Sequence, residues 1–121
     1  MRVKPKSFEP LPIKKNSFPK KSRLLKRRDF HRVYRKGTRL AGSMLCIDWV
    51  KSSKGIRLGI SVSTRYGNAL ERNRFKRLVR EAFRLSRDRL PPFIDLNIMP
   101  RKFAKKATLA HIQAELQRLL C

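Results

Sequence analysis

Arg72, Asn73, Arg74, Lys76, Arg77 and Arg80 fall within nine consecutive residues that contain no acidic side chain. Guanidinium forks together with an amide match the oxygens of phosphate and sugar in a way that isolated point charges do not. On a helix over 71–87, a spacing of 100° per residue puts Phe75, Leu78, Val79, Ala82 and Phe83 on one stripe. Asn73, Lys76, Arg77, Arg80, Arg84 and Arg87 fall on the other. The apolar stripe must dock on a core, so the basic ridge must face outward and stay charged. Glu81 is spaced to pair with Arg77, and Glu71 sits at the end of the helix where its dipole favours an anion. The rest of the ridge has no acidic partner on the helix, and its chemistry points to RNA or DNA.

Catalytic chemistry is harder to assemble. Asp29, Asp48, Glu71, Glu81, Asp88 and Asp95 are scattered along the chain, and no pair is spaced to hold two metal ions. His31 and His111 stand alone, with no carboxylate or cysteine placed to make a metal site or an acid–base pair. Gly55, Gly59 and Gly67 do not form a phosphate-binding loop. The chain is therefore expected to hold no catalytic residues and no metal ligands of its own.

At 121 residues the chain suits one domain. Thirty-two Lys and Arg against eight Asp and Glu give a net charge of +24, which calls for a polyanionic partner. Hydrophobic residues still make up 40% of the chain, enough for a folded core beneath the charge. Two cysteines, Cys46 and Cys121, give neither a disulfide framework nor a zinc pattern, so a reducing cytoplasmic setting is expected. There is no apolar run long enough to span a membrane.

Residues 1–22 carry Pro5, Pro10, Pro12 and Pro19 among lysines, and read as a basic arm disordered on its own. The domain is expected over 23–121. A first helix is read over Leu24–Lys36, with Gly37 as its C-cap. On it Phe30, Val33 and Tyr34 share a face. Packing in the core and stacking on bases are both open to the two aromatics. Trp49 and Phe83 read as core. Apolar runs at 44–50 and 56–63 read as strands joined by a hairpin loop at 51–55, and Thr38–Leu40 as a further short strand. Pro91-Pro92 stops the basic helix. Ile94, Leu96 and Ile98 alternate with polar residues as another strand, and Thr108 caps a last helix with an inward stripe of Leu109, Ile112, Leu116 and Leu119. The fold class is α/β, an α+β sandwich: helix, two or three strands, helix, strand, helix, with one small mixed sheet.

The run Arg57-Leu58-Gly59-Ile60-Ser61-Val62-Ser63, then Gly67-Asn68-Ala69, then Arg72-Asn73-Arg74-Phe75-Lys76-Arg77-Leu78-Val79-Arg80, resembles the signature of the bacterial ribonuclease P protein family. Leu24–Gly37 is similar to that family's first helix, and the resemblance covers about residues 23–120. It implies a four-stranded sheet with three helices in the order αβββαβα and a left-handed βαβ crossover, against the usual hand. It further implies that the chain joins a large catalytic RNA, which holds magnesium and removes the 5′ leader of precursor tRNA. Arg65, Arg72, Asn73, Arg74, Lys76, Arg77 and Arg80 would contact that RNA. Lys26, Phe30, Tyr34, Ser61 and Ser63 would line a cleft for the single-stranded leader. Where the family commonly has two lysines after the Ser-Val-Ser strand, this chain has Thr64-Arg65, so Arg65 alone is carried over. Leu70 replaces the usual valine.

A ribosomal protein is the leading rival, since small size, basicity and an arm suit it equally. A self-sufficient nuclease lacks its carboxylate cluster, and a DNA-binding regulator lacks a helix-turn-helix pair. Weak self-association of the free protein is left open.

Overall fold

Period-two alternation at Ile94, Leu96 and Ile98 suggests a strand with one wet face, yet every residue from Ile94 to Ile98 is buried. The computed structural model, which describes residues 23–24 and 26–120, gives the reason. This strand, β4 (Ile94–Pro100), has a neighbour on each side and helices on both faces. The preceding strands are β1 (Thr38–Ala41), β2 (Leu45–Lys51) and β3 (Arg57–Ile60), and the sheet order is β1-β2-β4-β3. β1 and β2 are antiparallel, as are β2 and β4, whereas β3 and β4 run parallel. Helices α1 (Arg27–Lys36), α2 (Ala69–Ser86) and α3 (Leu109–Leu120) complete the order αβββαβα. The proposed arm at 1–22 lies outside the described residues.

Two expectations about connectivity are corrected. β2 and β3 do not form a hairpin, because β4 lies between them and Ile47 and Leu58 reach the core through β4's Ile98 and Leu96. The loop after β2 is pinned to this arrangement by the Ser52 N–H, which donates to the Phe93 carbonyl at 2.9 Å. β3 also ends at Ile60, so Ser61 and Ser63 lie beyond it, although the Ser61 N–H still donates to Ile98.

The first helix begins at Arg27 and not at Leu24. Leu24 is extended and buried, donating its N–H to the Leu58 carbonyl at 2.9 Å, while Arg23 bridges Leu58 in parallel at the outer edge of β3. An apolar side chain there gains more from the sheet edge than from one more helical turn. Gly37 does cap α1, but with an extended backbone and no left-handed turn. Glycine is required because a Cβ would overlap the carbonyl oxygens of Val33 and Trp49.

One face of the sheet, with Leu45, Ile47, Leu96 and Ile98, packs against Phe75, Val79 and Phe83 of α2 and Ile112 and Leu116 of α3. Phe83 is fully buried, whereas Trp49, also expected in the core, is only half-buried. α1 lies across the other face. There Val33 is fully buried and the Phe30 ring packs over Gly59, where any Cβ would overlap it.

Glu115 joins α3 to the sheet. Its carboxylate accepts from the backbone N–H of Ser43, Met44 and Leu45 at 3.2, 2.8 and 2.6 Å. Burial pushes its pKa up, but these hydrogen bonds outweigh burial and hold it below the ordinary carboxylate value.

Two outcomes test this core. Phe83→Ala should lower unfolding free energy by ~3–5 kcal/mol in urea denaturation, since it leaves a cavity where the ring is fully enclosed. For Glu115, a depressed folded pKa means the folded state holds fewer protons than the unfolded state. Its stabilisation is therefore present above the ordinary carboxylate pKa and lost as pH falls through the folded value. Glu115→Gln should flatten that part of the stability–pH curve, and an unchanged curve would refute the assignment.

Candidate nucleic-acid interface

The loop after β3 and the first turns of α2 are fixed by a capping box. The Glu71 N–H donates to Asn68 Oδ1 at 2.9 Å, and the Asn68 N–H donates to Glu71 Oε1 at 3.0 Å. This satisfies two backbone donors at the helix start and sets the direction in which the basic ridge leaves.

The basic residues of α2 then divide. Arg72 donates to the Gly67 carbonyl at 2.8 Å, and Arg74 donates to the Ala107 carbonyl at 2.7 Å. Both guanidiniums brace the scaffold, Arg74 by tying α2 to the chain just ahead of α3. Glu81 pairs with Arg84, not with Arg77 as the spacing led us to expect. The Arg87 guanidinium lies 6.0 Å from the centre of the Phe83 ring. Asn73, Arg77 and Arg80 are exposed, and no carboxylate among the described residues pairs with either arginine.

The predicted leader residues form no single row. Val33 takes the buried position on α1, leaving Phe30 half-buried and Tyr34 69% exposed. Phe30 shares a shallow groove with Lys76 and Arg80 of α2, so the two predicted surfaces meet there. Tyr34 lies towards β1, its ring 6.0 Å from the Arg39 guanidinium. Arg39 is itself held by Asp48 through bonds of 2.7 and 2.9 Å. Lys26 is exposed at the start of α1.

Ser61, Ser63 and Arg65 come together in a cavity of about 680 Å³ at the carboxyl ends of β3 and β4. The Ser61 hydroxyl is hydrogen-bonded to Asn97 at 3.1 Å, so Ser61 is partly committed to the sheet. Three cations not singled out from the sequence, Arg101, Lys102 and Lys105, line the same cavity. Their signal was present as a cluster of charge directly after a strand. Lys105 Nζ sits 5.5 Å from the centre of the Tyr66 ring, and burial raises the Tyr66 phenol above its ordinary pKa.

The carboxylates are largely committed within the fold. Asp29 and Asp95 converge on Arg57, Asp48 holds Arg39, and Glu71, Glu81 and Glu115 have the partners already named. Among the described residues no group of three His, Cys, Asp or Glu could hold a metal ion. No described helix is long and apolar enough to cross a membrane.

Comparison with known proteins places both sequence and fold. The family described as ribonuclease P matches residues 18–121. The ribonuclease P protein component of Desulforapulum autotrophicum is 42% identical over 104 residues, covering 85% of this chain and 89% of its own. That of Staphylococcus carnosus is 38% identical over 101 residues, covering 81% and 86%. Among solved structures, the RNase P protein of Thermotoga maritima superposes with a TM-score of 0.75 at 32% identity, covering 81% of this chain and 94% of that one. The RNase P protein of Staphylococcus aureus does so with a TM-score of 0.73 at 34% identity, covering 81% and 91%. With both sequence and fold matched over most of its length, the chain belongs to the ribonuclease P protein family.

Proposed function

We propose that this chain, as the protein component of ribonuclease P in tRNA processing, acts by binding and positioning RNA and contributes no catalytic side chain. The observation that carries this reading is the contrast between its charges. Most of its carboxylates are engaged in holding the fold, while Asn73, Arg77, Arg80 and the cations around the cavity face outward. Such a surface binds phosphates electrostatically and orients them through guanidinium forks. In this reading magnesium is held by the RNA, which performs the hydrolysis, and the protein raises affinity for metal and substrate.

The exposed ridge of α2 and the loop at Arg65 face the catalytic RNA. The single-stranded 5′ leader lies along α1, with Phe30 and Tyr34 stacking on its bases and the cavity at Ser61 and Ser63 receiving its backbone. The assembly works in the cytoplasm.

Because Arg77 is exposed and Arg74 holds the Ala107 carbonyl, the two should separate on mutation. Arg77→Ala should weaken binding to the ribonuclease P RNA with no change in melting temperature. Arg74→Ala should lower the melting temperature as well. Equal melting losses for both would contradict the division of the ridge.

The functional test is cleavage of a 5′-extended precursor tRNA at low magnesium by the ribonuclease P RNA from the same source, with and without this protein. Stimulation that requires both components is expected, and cleavage by protein alone would overturn the proposal. Phe30→Ala and Tyr34→Ala should each weaken binding of the leader-bearing substrate by ~1–3 kcal/mol per lost stack and leave mature tRNA unaffected.

A further inference from the structure

We propose that residues 8–13 of this chain, Phe-Glu-Pro-Leu-Pro-Ile, dock in an apolar groove at the end of the sheet opposite the basic cavity. The groove has a volume of about 530 Å³ and is lined chiefly by Leu40, Trp49, Pro91, Phe93, Ile94 and Leu119. It lies where β2 ends and β4 begins, between the start of β1 and the end of α3. Phe93 is 60% exposed and Trp49 only half-buried, so two aromatic rings stand at its surface. Exposed aromatic surface flanked by prolines calls for an apolar occupant.

Four observations select this segment. The first is direction. The bridge between Arg23 and Leu58 is parallel, so the chain arrives at Arg23 from the end of the sheet where β3 begins. Register places Arg57 opposite Asp95 and Lys51 opposite Ile94, so that end is also the end holding the groove.

The second is reach. From the outer edge of β3 to β1 is about four strand spacings, ~19 Å. Nine residues lie between Ile13 and Arg23, and the ten steps from one to the other extend to ~33–36 Å. A short connection of this kind gives an effective concentration on the order of millimolar, so weak contacts are enough to fill the groove.

The third is chemistry. Pro10 and Pro12 alternate with Leu11 and Ile13, a sequence that favours the polyproline II conformation. Grooves lined by aromatic rings accept that conformation because it loses little entropy on binding.

The fourth is charge. Glu9 is the sole acidic residue among the first 22, and Lys51 is the one charged side chain lining the groove. Docking brings these opposite charges to the same site while leaving Lys14 and Lys15 outside it.

Trp49 is the chain's single tryptophan, so its fluorescence reports on the groove alone. Acrylamide quenching should be measured on the full-length protein and on the triple variant Phe8→Ser, Leu11→Ser, Ile13→Ser. A control variant, Lys14→Ser with Lys15→Ser, removes charge beside the segment. Quenching of Trp49 is expected to rise about threefold in the triple variant and to stay unchanged in the control. A threefold difference corresponds to a groove open in about one-third of native molecules. Equal quenching in the native and triple-variant proteins would overturn the proposal. So would quenching that falls as native protein concentration rises, because the occupant would then be a second copy of the chain.

Discussion

The Asp95 carboxylate has no exposed surface, and it stands on the central strand of a protein with a net charge of +24. Two guanidiniums reach it from different elements. Arg57 of β3 binds it through two bonds of 2.8 and 2.7 Å, and Arg32 of α1 meets the same carboxylate. Asp29 of α1 lies 3.7 Å from Arg57 and completes a neutral group of four charges. Burying such a group contributes little net stability compared with apolar packing, but loss of one member leaves an uncompensated charge and costs about 3–5 kcal/mol. What it determines is position. β3 is joined to β4 by side chains as well as by the ladder, and α1 is held at one place over the sheet. Hydrogen bonding to Asp95 raises the Arg57 pKa, so this guanidinium keeps its charge.

This constraint reaches the proposed leader-binding surface through α1. Arg32 and Val33 face the sheet, one through charge and one through burial, and together they fix the helix's rotation. Phe30 then falls over Gly59 beside α2, and Tyr34 falls towards Arg39. Scarce acidic residues are deployed in the same way elsewhere. Asp48 steadies Arg39 beneath Tyr34, Glu71 fixes the start of α2, and Glu115 holds the turn before β2. Basic residues are so numerous that folding and binding cannot both be served by chance pairing. Each of these carboxylates sits where an element must be located.

Local patterns in the chain anticipate local structure. The 3.6-residue period over Phe75–Phe83 identifies the buried stripe of α2, although the helix runs over Ala69–Ser86 and so starts two residues ahead of the 71–87 read from the pattern. Thr108 begins α3, where its hydroxyl accepts the His111 N–H and the His111 ring accepts the Thr108 N–H. Long-range structure is not anticipated. A loop of hairpin length after β2 gives no sign that β4, more than forty residues after β2 ends, will be inserted beside it. Asp95 reads as the polar side of an alternating strand, because its partners are 38 and 63 residues away. The separation of Arg74 from Arg77 was partly legible, because the stripe drawn at 100° per residue holds Arg77 and leaves Arg74 out. Only tertiary structure supplies Arg74 with its partner, the Ala107 carbonyl.

The sheet itself explains why the basic surfaces collect at one end. β3 and β4 are parallel, so the segments that follow them leave from the same edge. In parallel sheets that edge gathers the loops, and ligands bind outside the carboxyl ends of the strands. Here one strand delivers Ser61, Ser63 and Arg65, and the other delivers Arg101, Lys102 and Lys105. The loop from β3 leads directly into α2, whose amino end carries partial positive charge and whose ridge carries Asn73, Arg77 and Arg80. Antiparallel pairing of β3 with β4 would have sent the two loops to opposite ends and divided this surface. The polyanion-facing character of the molecule therefore depends on the parallel register of two short strands, and that register is locked by Arg57 against Asp95.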